Sequence, residues 1–547
     1  MIWRFYLGKN KIVFYLYNLY QFMKKYYYYS LLTFIIFTII SCQKNDLPNV
    51  EYSEQSQPTI LLNEVAVIGE KLPNPYSIEN MRKAYENIKP RTKTSSNEDL
   101  QATHHYIKFI PKSEVDLIEI QNLDALELFL YPLDHEVSDG RIDVDPNYSV
   151  NGFQHRWAYV PIGYDLTGLK CEYEILYDIY SPMDDIQTRS IGSDFCDELE
   201  KEAHRLCGME LEEVPQTKAS KVTPGGRITF WDNHTNSYVG CKGLSVQAVR
   251  LTHSSYGHCD DNGYFTIDDS FKYKFSYQIH FSRTDFIVRR NDNTSEVVYK
   301  YSGYLGDITK TFGPGDEATF FARITRAGVL YYYENIDDLR RPPFKSDKNT
   351  GRLAIHANLS NDPDCLGLFT YNGRFIFSDR PIIKVYQKDK SGAQYNHRDV
   401  FATTIHELTH AAHWRVDRDA FYATDKNVVE SLARGVQWYL TNKEYTGGTY
   451  NPQYYRQTYT GVIPDLVDGY GTTTSYWYGH WNVDGEHSTT VSTKSYYDKV
   501  TGYSVAEIEE SALKSRTWEQ WYENIYSDTS KSDRNYVQDV FNYWDSI

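Results

Sequence analysis

The stretch TTIHELTHAAHW, Thr403 to Trp414, places three histidines and a glutamate in one run of helical character. On a helix, residues four apart lie about 40° apart in projection and one turn apart along the axis, so His406 and His410 can present two ring nitrogens to one ion. Glu407 flanks the same face. Phe401, Ile405, Leu408 and Ala412 form an apolar stripe about 100° away. One stripe is expected to anchor the helix and to leave the other for chemistry. Two neutral imidazoles beside a carboxylate form the H-E-x-x-H pattern, in which the imidazoles hold zinc and the carboxylate takes a proton from water. Burying such residues without a purpose is costly.

The third ligand decides the class. His413 is seven residues, about 10.5 Å along the axis, from His406, too far for a tetrahedral ion held by the first two histidines. It is expected in a supporting position or at the surface. Val416 occupies the place where metzincins carry a third histidine, and the glycine turn of that class is absent. Glu430 is the stronger candidate. It lies in DKNVVESLARGVQWYLTN, which reads as a helix from Lys426 to Thr441 with Val429, Leu432, Val436 and Leu440 as its apolar stripe. The spacing leaves room for a loop and a second helix packed antiparallel on the first.

This constellation resembles the gluzincins, the H-E-x-x-H…E class that includes thermolysin-like peptidases. The resemblance implies His406, His410 and Glu430 as ligands of Zn2+ and Glu407 as general base. It also implies a His or Tyr beyond the third ligand that stabilises the oxyanion, for which Tyr459, His480 and His487 are candidates. Two departures stand out: Val429-Glu430-Ser431 replaces the usual Asn-Glu followed by two small residues, and Arg434 replaces an aspartate. The mucin-directed H-E-x-x-H…E peptidases of bacterial surface proteins permit variable spacing and are similar as well.

Working outward, DEATFFARITRAGVLYYYENI reads as a long helix stopped by RRPPF, and RLAIHANL and RPIIKVYQ read as strands before the histidine helix. Past Tyr445, SVAEIEESALKSR and TWEQWYENIY read as helices. Upstream, GGRITFWD, GLSVQAVRL and NGYFTIDD are strand-like runs separated by glycine-bearing turns, spaced like a small β-sandwich. They resemble the carboxypeptidase-regulatory-like, transthyretin-like domain, which implies support or docking. Asp260, Asp261 and Asn262 read as an acidic turn. Further upstream, HHYIKFIPK, ALELFLYPL and WAYVPI read as strands and Asp194 to Leu206 as a helix.

The expected architecture is therefore multidomain α+β. Residues 1–42 form an export signal and 43–101 a tether with a short helix at SIENMRKAYENI. An N-terminal α+β module spans 102–217, a β-sandwich 222–295, and a zincin-like, mainly helical domain with a small sheet 300–547. A chain of 547 residues is long enough for several cores.

The run from Met23 carries two lysines, a short apolar stretch from Leu31 to Ile40 and then Ser41-Cys42. The stretch is too short to span a bilayer. Ile-Ile-Ser-Cys resembles the lipobox of bacterial lipoproteins, which implies acylation of Cys42 and a true start at Met23. Gln43 after the cysteine points to the outer membrane, on its periplasmic or outer face. Export permits disulfides, and Cys241 with Cys259 is the favoured pair. Cys196 and Cys207 lie on one helix, about 16 Å apart, too far to bond.

The net charge of −16 and the lack of a basic stripe exclude a general nucleic-acid scaffold, and a mean hydropathy of −0.58 excludes a polytopic membrane protein. Fifty tyrosines accompany an abundance of Asn, Lys, Ile and Phe, as coding bias produces. The expectation is a lipid-anchored zinc metallopeptidase, endopeptidase or aminopeptidase, acting on a protein or glycoprotein. The competing expectation is an adhesion lipoprotein that binds glycan or host protein.

Overall fold

The structure, a computed structural model, describes residues 65–89, 100–123, 125–182, 193–213, 221–250, 253–347, 351–361, 366–371, 381–447, 450–452, 454–455, 458–468, 473–479, 492–497, 499–528, 530–531 and 533–546. The chain divides into two compact units, Met1–Ile60 and Leu61–Ile547, and every described residue belongs to the second. That unit is a mixture of helices and several sheets.

Its first part contains helix α1 (Ile78–Ile88), strand β1 (His104–Ile110), helix α2 (Glu114–Gln121), strands β2 (Arg156–Pro161) and β3 (Glu172–Ile179), and helix α3 (Ser193–Leu206). The strands form an antiparallel sheet in the order β2-β1-β3. Alternation along β1 sends Tyr106 into a core with Met81 and Tyr85 of α1 and Leu199 of α3. The next residues of the opposite parity, Ile107 and Phe109, enter a separate core with Leu117 and Ile120 of α2. The segment ALELFLYPL is not a strand; Phe129 alone bridges to Trp157. Its apolar residues instead fill gaps in three different cores, which breaks the period of two that the sequence displays.

The middle part contains strands β4 (Gly225–Asp232), β5 (Ser237–Gly240), β6 (Ser245–Arg250), β7 (His253–His258), β8 (Tyr264–Thr266), β9 (Phe275–His280), β10 (Phe286–Arg290), β11 (Val298–Tyr304) and β12 (Ile308–Phe312). Strands β5, β8 and β12 all pair with β4, while β7-β6-β9-β11 continue to Gly140–Arg141 in a second sheet. The two sheets share one core, with Phe265 against Tyr277 and Phe312 against Tyr299 at ring-centroid distances of 6.0 and 5.6 Å. Asp260 makes the expected turn, its Oδ1 accepting the N–H groups of Asn262 and Tyr264. Cys241 and Cys259 are not bonded; both are free, buried thiols. Their backbones are fixed separately, Cys241 N–H to Ile228 O and Cys259 N–H to Leu244 O, so the hairpin closes without a covalent link. Cys196 and Cys207 are not bonded to each other.

Helix α4 (Glu317–Tyr333) follows, then strands β13 (Leu353–Asn361), β14 (Gly367–Tyr371) and β15 (Pro381–Lys388), and helices α5 (His397–Val416), α6 (Arg418–Ala423), α7 (Lys426–Glu444) and α8 (Val462–Val467). The chain then forms the antiparallel pair β16 (Thr473–Gly479) and β17 (Ser492–Tyr497), and ends in helices α9 (Val505–Leu513), α10 (Trp518–Tyr526) and α11 (Val537–Ser546). Helix α4 stops at Tyr333, ahead of RRPPF: Glu334 is already extended, and Asp337 and Asp338 turn the chain with φ of 54° and 63°. Strand β10 pairs in parallel with β13 and β12 in parallel with β4, so hydrogen bonds cross the expected 295/300 boundary in both directions. A single core accordingly runs from Ile228 to Trp544.

Helix α5 lies within this core. Asn396 caps it by accepting from Arg398 N–H, and the side chain of Asn233 receives His397 N–H at 2.7 Å while donating to Tyr395 O at 3.1 Å. Every residue from Val400 to Trp414 is buried. The histidine face of the helix is thus covered rather than free, because α7 and the outer strand β14 pack over it. No helix among the described residues is long and apolar enough to cross a membrane.

Candidate metal centre

Helix α5 supplies His406, Glu407 and His410, and helix α7 supplies Glu430. The two helices pack against each other, and α8 closes on α7 at Gly435, where a Cβ would fall 2.4 Å from Ile463. His406 Nε2 and His410 Nε2 lie 3.1 Å apart, and Glu430 Oε2 lies 3.2 and 3.3 Å from them. Ligand atoms about 2.0–2.1 Å from a tetrahedral zinc ion stand about 3.3–3.4 Å from one another, so the three donors have the spacing of one face of such a polyhedron. His406, His410 and Glu430 are the one group of three His, Cys, Asp or Glu side chains among the described residues that converges within 4.8 Å. The expected ligand set is brought together.

Glu407 points beside this group. It is buried, its Oε2 has no partner among the described residues, and the backbone N–H of Phe369 on β14 donates to its carboxylate. Gly367 allows that approach: a Cβ there would meet Thr403 at 2.3 Å and Glu407 Oε1 at 2.7 Å. Burial pushes the Glu407 carboxyl up to about 8, against the pull of His410. Burial likewise pushes His406 down to about 4. His410 is as deeply buried, yet the Glu430 carboxylate outweighs burial and raises it. Burial also opposes ionisation of Glu430, but the two imidazoles hold its carboxyl well below the usual range.

Tyr459 reaches the cluster and contacts Glu430. Its hydroxyl hydrogen-bonds the Glu430 carboxylate, and its ring centroid lies 5.9 Å from that of His406. Ser431 places it. The Ser431 Oγ accepts Thr460 N–H at 3.0 Å, takes part in a hydroxyl pair with Thr460 at 2.8 Å and donates to Thr458 O at 3.3 Å, clamping residues 458–460 onto α7. The departure at Val429-Glu430-Ser431 therefore has a local purpose. His480, His487 and Cys42 lie outside the described residues.

His413 is not at the surface. It is buried, with its ring 5.1 Å from Phe421 of α6 and neither ring nitrogen partnered, and burial pushes it down to about 3. Helix α6 folds back over the end of α5 and covers it, which the sequence between the two helices does not announce. Phe369 and Phe421 also flank His410, at 5.9 and 6.2 Å. Neither was singled out in the sequence. Gly367 inside a strand was the available signal, since such a glycine marks close backbone approach.

Comparison of the chain with protein-family models, with curated proteins and with solved structures finds no match.

Proposed function

We propose that this chain is a zinc-dependent peptidase of the gluzincin type. The observation that carries the reading is the mutual spacing of 3.1–3.3 Å among two imidazole nitrogens and one carboxylate oxygen from two separate helices. Two His and one Glu are a donor set suited to zinc with an open fourth position. When bound, the ion supplies Lewis acidity, polarising a carbonyl and lowering the pKa of water to about 7.

The remaining work belongs to the chain. Glu407 accepts a proton at its unpartnered Oε2 and passes it to the leaving amine, a general base and then a general acid. With a cation bound beside it, the Glu407 carboxyl would titrate below the value that burial alone sets. Tyr459 fixes the orientation of Glu430. Strand β14 ends the sheet in the order β10-β13-β15-β14, and its edge offers a peptide substrate an extended partner beside Glu407. Phe369 and Phe421 keep water from the reacting bond.

Elemental analysis of the purified protein tests the metal, and a peptide-library cleavage assay tests the chemistry. One equivalent of zinc is expected in the parent and none in His406→Ala; Glu407→Gln is expected to keep zinc and lose cleavage. An ion that persists in His406→Ala removes the site, and equal turnover by Glu407→Gln refutes the role of that carboxylate. In the same reading Cys42 carries a lipid and the enzyme acts from an outer membrane on exported or host proteins; loss of metabolic fatty-acid labelling in Cys42→Ala is the corresponding measurement.

A further inference from the structure

The solvent-reaching residues of α7 include Asn427, Glu430, Arg434 and Trp438, at the three- and four-residue spacing of one helix face, while Val429, Leu432, Val436 and Leu440 are buried behind them. The metal centre opens on this side: the Glu430 side chain keeps 16% exposure against 8% for His406 and 7% for His410. Arg434 stands on the open side, one turn beyond Glu430.

Its guanidinium lies 4.5 Å over the Tyr459 ring. One Nη donates to Gln437 Oε1 at 2.9 Å, and Gln437 is held in turn by donating to Tyr450 OH at 2.9 Å. The Nε has no partner among the described residues. Among the buried arginines, Arg289, Arg323 and Arg326 each face a carboxylate and Arg156 donates to the Gln154 and His155 carbonyls, whereas among the described residues Arg434 has no carboxylate within ion-pair distance. Its charge is felt at His406, Glu407, His410 and Tyr459. A half-buried, pre-positioned guanidinium without a counter-ion beside a reacting centre is a receptor for a planar anion.

We infer that Arg434 anchors the substrate by binding a carboxylate of the peptide. The inference rests on the peptidase reading. One helical turn is about 5.4 Å and one extended residue spans about 3.3–3.6 Å, so the anchored carboxylate belongs to a residue within about two positions of the cleaved bond. Two sources offer the same chemistry, the C-terminal carboxylate and an acidic side chain.

The full-length Glu407→Gln protein, loaded with zinc, is incubated with a mixed pool of N-acetylated hexapeptides. The pool is prepared as free acids, as C-terminal amides, and as amides with one internal Glu; retention on ultrafiltration is read by mass spectrometry. Retention of the free acids, of the Glu-bearing amides, or of both is expected to exceed that of the plain amides by about tenfold or more, as for a charge-assisted pair. The arm retained identifies the source. The preference should vanish when Arg434→Gln is added and fall partway with Arg434→Lys, which keeps the charge without the fork.

Equal retention of the three forms, a preference that survives Arg434→Gln, or no retention of any peptide overturns the inference. If Arg434→Gln does not fold, the comparison of the three forms on the parent and on Arg434→Lys still decides. Zinc content of each variant separates the two readings: protein that holds no zinc refutes the metal centre, whereas full zinc with indifferent peptide binding refutes Arg434 alone.

Discussion

Tyr459 and Ser431 show how single residues complete a candidate site whose first members are a local pattern. The spacing of His406, Glu407 and His410 is readable because a helix converts it directly into one face. The role of Tyr459 is not, because it depends on Ser431 holding residues 458–460 against α7 across a loop. Two outcomes are expected. Tyr459→Phe removes the hydroxyl that orients Glu430 and should lower zinc affinity by about tenfold to a hundredfold, measured by competition with a chromogenic chelator, with little change in unfolding temperature. Ser431→Ala strips Thr460 N–H of its partner in a buried setting and should cost about 1–3 kcal/mol in denaturant unfolding. It should weaken zinc binding as well, since Tyr459 loses its seat. A Ser431→Ala protein with parental stability would show that the clamp is not formed.

At the scale of elements, helices and strands with a strong period were legible and those without one were not. Helices α5 and α7 were expected within a few residues of where they lie, as were strands β13 and β15, whereas β14 was not. The apolar stripe of α5 misled in one respect: the helix is buried all round, because its polar residues turn to one another and to β14 instead of to water. ALELFLYPL has the composition of a strand, yet among the described residues only its Phe129 bridges to a strand, at Trp157. The stop of α4 was placed at a proline pair, although the Asp337-Asp338 turn acts first. Gly435 carries the contact between α7 and α8. Gly435→Ala puts a methyl group 2.4 Å from the Ile463 side chain, and overpacking of this kind costs about 1–3 kcal/mol. Shortening the neighbour relieves the clash, so Gly435→Ala with Ile463→Val should unfold at a higher temperature than Gly435→Ala alone. Strictly additive effects of the two changes would mean that the helices do not meet at these residues.

Across the whole molecule, what sequence could not supply was partnership at long range. The pairing of β12 with β4 and of β10 with β13 joins segments that read as separate modules, and the ion pairs Arg289–Glu114 and Arg141–Glu317 tie the first part of the fold to the rest. Because the core from Ile228 to Trp544 is continuous, a group titrating in one corner of it is expected to register in the unfolding of that whole part. Glu509 on α9 is such a group: it is buried, accepts Arg340 N–H at 2.7 Å, and burial pushes its carboxyl up from 4.5 to about 8. Below pH 4.5 both states carry the proton and there is no penalty. Between pH 4.5 and 8 the unfolded chain releases the proton while the folded one retains it, so folded protein binds more protons and stability falls as pH rises. Above pH 8 the penalty is complete, on the order of a few kcal/mol. Glu509→Gln keeps an oxygen for Arg340 N–H but has nothing to ionise. The unfolding temperature of Glu509→Gln minus that of the parent should therefore be smallest near pH 4.5 and climb to a plateau above pH 8. A difference that is flat from pH 4.5 to 9, or that shrinks as pH rises, would mean that Glu509 is hydrated in the folded protein and that α9 does not turn it into the core.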